Sequence, residues 1–267
     1  MPSTDLRLAI VPIDMIPGDT AANLDSIESK IASLPADTDL VVLPEMCNTG
    51  YTIDPGLVER YAEPSDGYTL TRLRAIAASR NIAIWGTIAV ADGGRFYNRG
   101  FMIDPSGHTD YYDKRHLFVL GREPMLYTPG EAQAPIVTFR GWKIKMSICY
   151  DLRFPVWNRW TDEAPYDLLV IPANWPDARE FAWRNLLLAR AIENQAYVAG
   201  CNRLGSDLYG SYRHDISYLF NHWGDEIGRR DNATGIITAT LDGKSLDHDR
   251  ARFPHLAAAD DFVISMQ

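Results

Sequence analysis

Short apolar runs rich in valine and isoleucine recur along this chain, and they constrain its fold more than any other feature. Their length and their β-branched residues predict buried strands rather than helices. Segments with apolar residues near helical spacing lie between several of them. This alternation predicts an α/β fold with helices packed on buried strands. The predicted strands are 8–13, 40–43, 82–90, 144–148, 168–171 and 197–200, and the predicted helices are 21–34, 69–80 and 178–194.

Tight reversals between neighbouring strands indicate that the sheet is not purely parallel. Residues 104–107 have the turn sequence Asp-Pro-Ser-Gly and separate the apolar segments 96–103 and 109–112. Such a turn predicts a hairpin. A second reversal, Arg-Gly at 140–141, follows another short apolar segment. A mixed sheet is therefore expected.

Length and charge bound the domain count and the partners. The 267 residues contain no linker-like break, so we expect one domain over 1–267, with the residues after about 243 as a C-terminal extension. Lys plus Arg is 26 against 35 Asp plus Glu, and there is no basic run. These features argue against a nucleic acid partner. Without a long apolar segment or a leader pattern, we expect a cytoplasmic protein with no membrane partner.

The cysteines and histidines predict no disulfide framework and no metal site. Cys47, Cys149 and Cys201 are far apart in the sequence, and the six histidines lack metal-ligand spacing. We expect Cys47 and Cys201 to be small residues of the apolar core. Cys149 differs because it ends an apolar run and a polar segment follows it.

Four polar residues stand where predicted strands end: Glu45, Lys114, Cys149 and Asn174. In α/β proteins the loops at the carboxyl ends of strands supply reactive groups. If these ends meet, a carboxylate, an ammonium and a thiol share one pocket, which is sufficient for acyl transfer. Taken singly, each charge is also typical of a solvated strand end.

The chemistry expected of such a pocket is nucleophilic catalysis by a thiol. Lys114 would lower the pKa of Cys149, and Glu45 would accept the thiol proton and return it to a leaving amine. Lys114 and the backbone N–H of Tyr150 would stabilise the oxyanion. His116 could form a Cys–His pair, but a structural or pocket-lining use is favoured.

Three ordered motifs resemble those of the nitrilase, or carbon–nitrogen hydrolase, superfamily. They are Leu-Pro-Glu at 43–45, Tyr-Asp-Lys-Arg-His-Leu-Phe at 112–118 and Cys-Tyr-Asp-Leu-Arg-Phe-Pro at 149–155. The segments 173–176 and 190–203 resemble the bacterial omega-amidase branch. The resemblance implies a four-layer α-β-β-α sandwich with mixed sheets, assembled as a homodimer or a higher homo-oligomer.

The resemblance also implies roles for residues and an activity. Glu45 would be the general base, Lys114 the oxyanion stabiliser, Cys149 the nucleophile and Glu123 a second glutamate of the site. The omega-amidase branch implies hydrolysis of the terminal amide of 2-oxoglutaramate and 2-oxosuccinamate to the acid and ammonia through a thioester. No cofactor is implied.

The substrate would be a small amide that carries a carboxylate. Arg153 is the candidate for that carboxylate because a guanidinium matches it bidentately, although a structural role beside Asp151 is an alternative. Trp175, Phe118 and Tyr51 would line a narrow pocket, and core packing is the alternative for each. Tyr150 and Asn174 complete the predicted substrate-binding set. Residues 215–217 and 221–224 depart from the superfamily pattern.

Two other functions remain open from the sequence. An N-carbamoyl amino acid hydrolase, an aliphatic amidase or a nitrilase of the same superfamily would use the same four catalytic residues. A catalytically silent protein that binds a small acid or serves in an assembly belongs to a different class, and the presence of all four residues argues against it.

Overall fold

Two β-sheets packed face to face form the centre of the protein in a computed structural model that describes residue 2 and residues 4–265. The strands are β1 (Leu6–Ile10), β2 (Leu40–Val42), β3 (Ala83–Asp92), β4 (Arg95–Ile103), β5 (Thr109–Asp113), β6 (Ile136–Phe139), β7 (Trp142–Met146), β8 (Leu168–Ala173), β9 (Tyr197–Asn202), β10 (Gly205–Asp207), β11 (Gly210–Tyr212), β12 (Tyr218–Phe220), β13 (Arg229–Arg230) and β14 (Ile237–Leu241). The helices are α1 (Thr20–Ala32), α2 (Pro55–Tyr61), α3 (Tyr68–Arg80), α4 (Pro155–Asn158), α5 (Glu180–Glu193) and α6 (Gly243–Arg252).

Both sheets are mixed. The larger has the order β13-β14-β1-β2-β3-β4-β5, with β1, β2 and β3 parallel and the remaining pairs antiparallel. The smaller has the order β12-β9-β8-β7-β6, with β7, β8 and β9 parallel. Strands β10 and β11 form a separate hairpin. The parallel strands at the centre of each sheet place several strand ends on the same edge.

Alternation along β2 shows why its residues are all apolar. Leu40 and Val42 pack between the two sheets with residues of the smaller sheet such as Ile144 and Val170. Val41 points to the opposite face and packs in the cluster that contains residues of α1 and α3. Side chains of successive strand residues face opposite sides, so a strand buried on both faces is apolar throughout.

Helices cover the outer face of each sheet. Leu24 and Leu73 bring α1 and α3 against the larger sheet. Trp183 and Leu187 bring α5 against the smaller sheet, where they pack with Val198. The order of layers is therefore α-β-β-α, as the resemblance implied. No helix within the described residues is long and apolar enough to cross a membrane.

The predicted strands and both predicted hairpins are confirmed, with shifts at their ends. The first strand is Leu6–Ile10 rather than 8–13, because Leu6 and Arg7 already pair with β14 and the paired register ends at Ile10. The sequence patterns did not predict α2, the β10–β11 hairpin or the β13–β14 pair, whose strands are short or largely polar.

Gly130 fixes the position of the strand end that carries Lys114. Its N–H donates to the Lys114 carbonyl at 2.9 Å. A Cβ atom at this position would collide with the backbone carbonyl oxygen of Asp113, which cannot move aside as a flexible side chain could. The close approach of these two backbones therefore requires glycine.

We expect Gly130→Ala to lower the free energy of unfolding by about 1–3 kcal/mol, the usual cost of overpacking. Gly56→Ala is the matched control, because a Cβ there meets only Asp54, at an ordinary 3.4 Å. Urea denaturation measures both variants. Equal stability of the two would contradict the assigned packing.

Candidate active site

The residues at four strand ends meet around one cavity of about 260 Å³. Glu45 lies shortly after β2, and Lys114 directly follows β5 in the same sheet. Cys149 follows β7, and Asn174 directly follows β8 in the other sheet. All four line the cavity. The site therefore lies where the ends of strands from both sheets converge.

A buried ion cluster lies at the inner end of this cavity. The Lys114 ammonium donates to Glu45 Oε1 at 2.9 Å and to both Glu123 oxygens at 3.0 Å. None of the three side chains is more than 1% exposed. The Asn98 amide donates to Glu45 at 2.7 Å and to Glu123 at 3.2 Å. Phe118 adds a backbone N–H to Glu123.

This cluster keeps Lys114 charged. Burial by itself lowers the pKa of Lys114, but the carboxylates of Glu123 and Glu45 outweigh burial and hold that pKa well above its ordinary value. Burial also raises the pKa of Glu123, and Lys114 only partly opposes this rise. A permanently charged ammonium fixed by two carboxylates is suited to stabilise a developing oxyanion.

The surroundings of Cys149 shift the pKa of its thiol upward. Burial raises its pKa well above the ordinary value, and the charge of Glu45 raises it further. Lys114 acts in the opposite direction but does not prevail. Lys114 does lower the thiol pKa as expected, but burial and the Glu45 charge outweigh it, so the net shift is upward.

The backbone at Cys149 adopts a left-handed conformation with φ of 44°. Cys149 begins a 3₁₀ turn, Cys149–Arg153, that leads away from β7. Such a conformation is sparsely populated by residues other than glycine, and it persists only when the surroundings enforce it.

Asp151 supplies part of that enforcement. Its carboxylate accepts from the N–H of Ile148 at 3.1 Å and from the N–H of His116 at 2.9 Å. It also accepts from the Tyr112 hydroxyl at 2.9 Å and contacts His116 Nδ1 at 2.8 Å. Asp151 thus connects the turn that carries Cys149 to the loop that carries Lys114. His116 has the structural role that the sequence favoured: besides its contact with Asp151, its ring stacks on Phe154.

Asn174 holds Glu45 in place as well as lining the cavity. Its backbone N–H donates to Glu45 Oε2 at 3.0 Å, and its side-chain amide donates to the Glu45 carbonyl at 2.8 Å. The side-chain nitrogen of Asn174, which was predicted to bind substrate, is therefore engaged with Glu45. The first bond holds the carboxylate oxygen that Lys114 does not contact, and the second holds the Glu45 backbone.

The other predicted substrate-binding residues also lie around the cavity. They are Tyr51, Phe118, Tyr150, Arg153 and Trp175. The guanidinium of Arg153 lies 4.8 Å from the centre of the Trp175 ring. Glu123 does not line the cavity, but its carboxylate accepts a hydrogen bond from Lys114, which does.

Several residues of the site were missed at the sequence level. Tyr209, Tyr212 and Arg179 line the cavity, and Asn98 bonds to both carboxylates. No motif marks them: the tyrosines belong to the short β10–β11 hairpin, and Arg179 precedes a helix as one of several arginines. The alternation of β4 places Asn98 on the face of the larger sheet that packs against the smaller sheet. A polar residue on this otherwise apolar face was the one feature of the sequence that could have indicated a role in the site.

The residues that depart from the superfamily pattern lie outside the cavity, and the described residues contain no metal site. The departing residues Asp215 and His222 do not line the cavity, and His222 instead pairs with Asp249 at 2.7 Å. Within the part of the chain that the structure describes, no group of three His, Cys, Asp or Glu side chains is placed to hold a metal ion.

The sequence pattern of the family described as carbon-nitrogen hydrolase matches residues 7–251. The chain belongs to this family. The fold agrees with this assignment. A similar solved structure is that of XC1258 from Xanthomonas campestris, a CN-hydrolase superfamily protein with an arsenic adduct in its active site. The two structures superimpose with a TM-score of 0.91 at 36% sequence identity, over 98% of this chain and 100% of that chain. The protein is thus an amide-acting hydrolase of the carbon-nitrogen hydrolase class.

Relatives with named activities align over most of the chain. Omega-amidase YafV from Escherichia coli K12 is 36% identical over 96% of this chain and 98% of its own length. The 2-oxoglutaramate amidase of Bacillus subtilis is 31% identical over 88% of this chain and 90% of its own.

Replacing Glu45 with glutamine keeps the shape of the side chain and removes a charge that raises the pKa of Cys149. We expect the thiol pKa to fall in Glu45→Gln, so that alkylation of Cys149 by iodoacetamide begins at lower pH than in the unaltered protein. Amide hydrolysis should meanwhile fall about 100- to 10,000-fold, because a glutamine side chain cannot accept a proton as a carboxylate can.

Peptide mass spectrometry of alkylation across a pH series measures this shift, with buried Cys47 and Cys201 as internal references. An alkylation midpoint that stays in place or moves to higher pH would contradict the electrostatic coupling of the two side chains.

Proposed function

We propose that the protein hydrolyses the terminal amide of short 2-oxo dicarboxylic acid monoamides, 2-oxoglutaramate and 2-oxosuccinamate, to the acid and ammonia through a Cys149 thioester. The observation that carries this proposal is the shared cavity. It has Cys149 beside the Lys114–Glu45 ion pair and Arg153 among its other lining residues.

Acylation begins with attack of Cys149 Sγ on the amide carbon. Because the thiol pKa is raised, the proton leaves sulfur as the bond to carbon forms, and Glu45 accepts it. Negative charge then develops on the amide oxygen. The Lys114 ammonium and the backbone N–H of Tyr150 stabilise this oxyanion.

Collapse of the tetrahedral intermediate breaks the carbon–nitrogen bond. Glu45 returns its proton to the departing nitrogen, which leaves as ammonia, and the acyl group stays on Cys149. Water then attacks the thioester, and Glu45 accepts a proton from it. As the carbon–sulfur bond breaks, Glu45 gives this proton to the sulfur, and the acid and the free thiol are released. Glu123 contributes by holding Lys114 in place.

The size and charge of the cavity support a short anionic amide. A volume of about 260 Å³ accommodates a chain of four or five carbons, and Arg153 offers a guanidinium for the substrate carboxylate. The names of two relatives, an omega-amidase and a 2-oxoglutaramate amidase, support the same substrate class.

The proposal extends to partners and location. The chain needs no cofactor for this chemistry, acts in the cytoplasm and binds neither nucleic acid nor membrane, in keeping with its net charge of −9. It functions as a homodimer or a higher homo-oligomer. Phe181 and Ile192, exposed by 83% and 46% on the outer helix α5, support contact with a second copy.

The alternatives differ in their products. An N-carbamoyl amino acid hydrolase would release carbon dioxide with ammonia, and a nitrilase would accept a nitrile. An aliphatic amidase would accept simple amides. A silent acid-binding protein would release nothing.

Ammonia release from 2-oxoglutaramate, 2-oxosuccinamate, glutamine and a simple nitrile tests the proposal. We expect turnover of the two 2-oxo acid amides, and its loss by several orders of magnitude in Cys149→Ala, because the nucleophile is removed. Cys201→Ala is the matched control, since that thiol is buried outside the cavity. Persistent turnover in Cys149→Ala would refute the nucleophile, and exclusive turnover of another substrate would refute the substrate class.

A further inference from the structure

A second arginine, Arg179, lines the same cavity as Arg153. Arg179 ends the 3₁₀ turn Asp177–Arg179 before α5 and lines the cavity together with Arg153. Trp175 holds both arginines: its ring lies 4.8 Å from the Arg153 guanidinium, and its indole N–H donates to the Arg179 carbonyl at 2.9 Å. The Arg179 guanidinium lies 5.4 Å from the centre of the Phe118 ring.

The acid nearest to Arg153 in sequence is already satisfied. Asp151 accepts from the backbone N–H groups of Ile148 and His116 and from the Tyr112 hydroxyl, and it contacts the His116 ring. Among the residues that the structure describes, no carboxylate forms an ion pair with Arg153. Its guanidinium contacts aromatic rings instead.

The acids next to Arg179 are likewise engaged elsewhere. Asp177 accepts from the backbone N–H of Arg213 at 2.9 Å. Glu180 accepts from the Arg213 guanidinium at 2.9 Å and from the Tyr218 hydroxyl at 2.6 Å. Within residues 4–265, no carboxylate pairs with Arg179 either. Its positive charge is left for a ligand.

The charges that line the cavity are thus divided into two groups. Glu45 and Lys114 pair with each other beside Cys149. Arg153 and Arg179, both exposed, provide two cations with no carboxylate partner. A ligand with a neutral reacting group at one end and an anion at the other matches this arrangement.

We propose that Arg179 is a second substrate-binding residue that, with Arg153, recognises the 2-oxo acid end of the substrate and rejects the corresponding 2-amino acid. This inference rests on the proposed function and adds the basis of its selectivity. The positive charges of Arg153 and Arg179, in addition to the shape of the cavity, would then discriminate between 2-oxoglutaramate and glutamine.

The chemistry of the two ligands explains the selectivity. A 2-oxo acid presents a carboxylate and an adjacent carbonyl oxygen, all hydrogen-bond acceptors, which two guanidinium groups can satisfy because they only donate. A 2-amino acid presents an ammonium at the position of that carbonyl. The ammonium would lie beside two cations with no carboxylate of the protein to pair with it, and repulsion of this kind is a common source of specificity.

The experiment compares kcat/KM for 2-oxoglutaramate, glutamine and neutral pentanamide in Arg179→Gln, Arg179→Lys and the unaltered protein. Arg184→Gln is the matched control. Arg184 also stacks on aromatic rings, those of Tyr218 and Phe220, and it lies outside the cavity.

We expect Arg179→Gln to lower kcat/KM for 2-oxoglutaramate about 10- to 100-fold, the range for a lost charge-assisted hydrogen bond. Turnover of pentanamide should be unchanged, and the preference for 2-oxoglutaramate over glutamine should fall at least about tenfold. Arg179→Lys should restore part of the loss, and Arg184→Gln should behave like the unaltered protein. Equal losses for the charged and neutral amides would overturn the inference.

A binding measurement separates this inference from the proposed function. Calorimetry on Cys149→Ala with 2-oxopentanoate, pentanoate and 2-aminopentanoate reports recognition of the acid end without catalysis. We expect 2-oxopentanoate to bind tightest and to lose affinity when Arg179→Gln is added. If this dependence holds while the active protein does not hydrolyse 2-oxoglutaramate, the proposed function fails, and only recognition of a 2-oxo acid by Arg179 is retained. If 2-oxoglutaramate is hydrolysed but the affinity for 2-oxopentanoate is unchanged by Arg179→Gln, the inference alone fails.

Discussion

The ion cluster of Lys114 with Glu45 and Glu123 is the interaction on which the rest of the site depends. Three charges removed from water are stable only when their mutual attraction and their hydrogen bonds repay the loss of hydration. Here every carboxylate has additional donors, from Asn98, Asn174 and the Phe118 backbone. The cluster therefore fixes the Lys114 ammonium and the Glu45 carboxylate relative to each other before any substrate arrives, which is the condition for electrostatic catalysis.

A second network connects this cluster to the turn that carries Cys149. Asp151 joins the turn that begins with Cys149 to the loop between Lys114 and Phe118, and Asn174 joins β8 to Glu45. The two sheets thus share polar contacts at one edge in addition to the apolar core between them. The unfavourable backbone conformation at Cys149 is held by this surrounding structure rather than by local preference.

Much of this could be predicted from the sequence, and the exceptions have physical causes. Runs such as Leu40–Val42 and Leu168–Ala173 are apolar on both faces, so their strands and the polar residues that follow them were recognisable. The motifs gave the superfamily and its layers. The net direction of the Cys149 pKa was not predictable, since burial and the nearby Glu45 charge, which only the folded chain shows, outweigh the effect of Lys114. Arg179 was missed because only the folded chain shows that its neighbouring acids are engaged elsewhere.

The central claim is that a thiol, a fixed ammonium and a carboxylate act on one carbonyl carbon. Rapid acid quenching during turnover of 2-oxoglutaramate, followed by mass spectrometry, tests it most directly. The account predicts an acyl group on the peptide that contains Cys149, and its formation at least about 100-fold slower in Lys114→Met. Turnover without such an adduct, or formation of the adduct at an unchanged rate when Lys114 is replaced, would contradict the account.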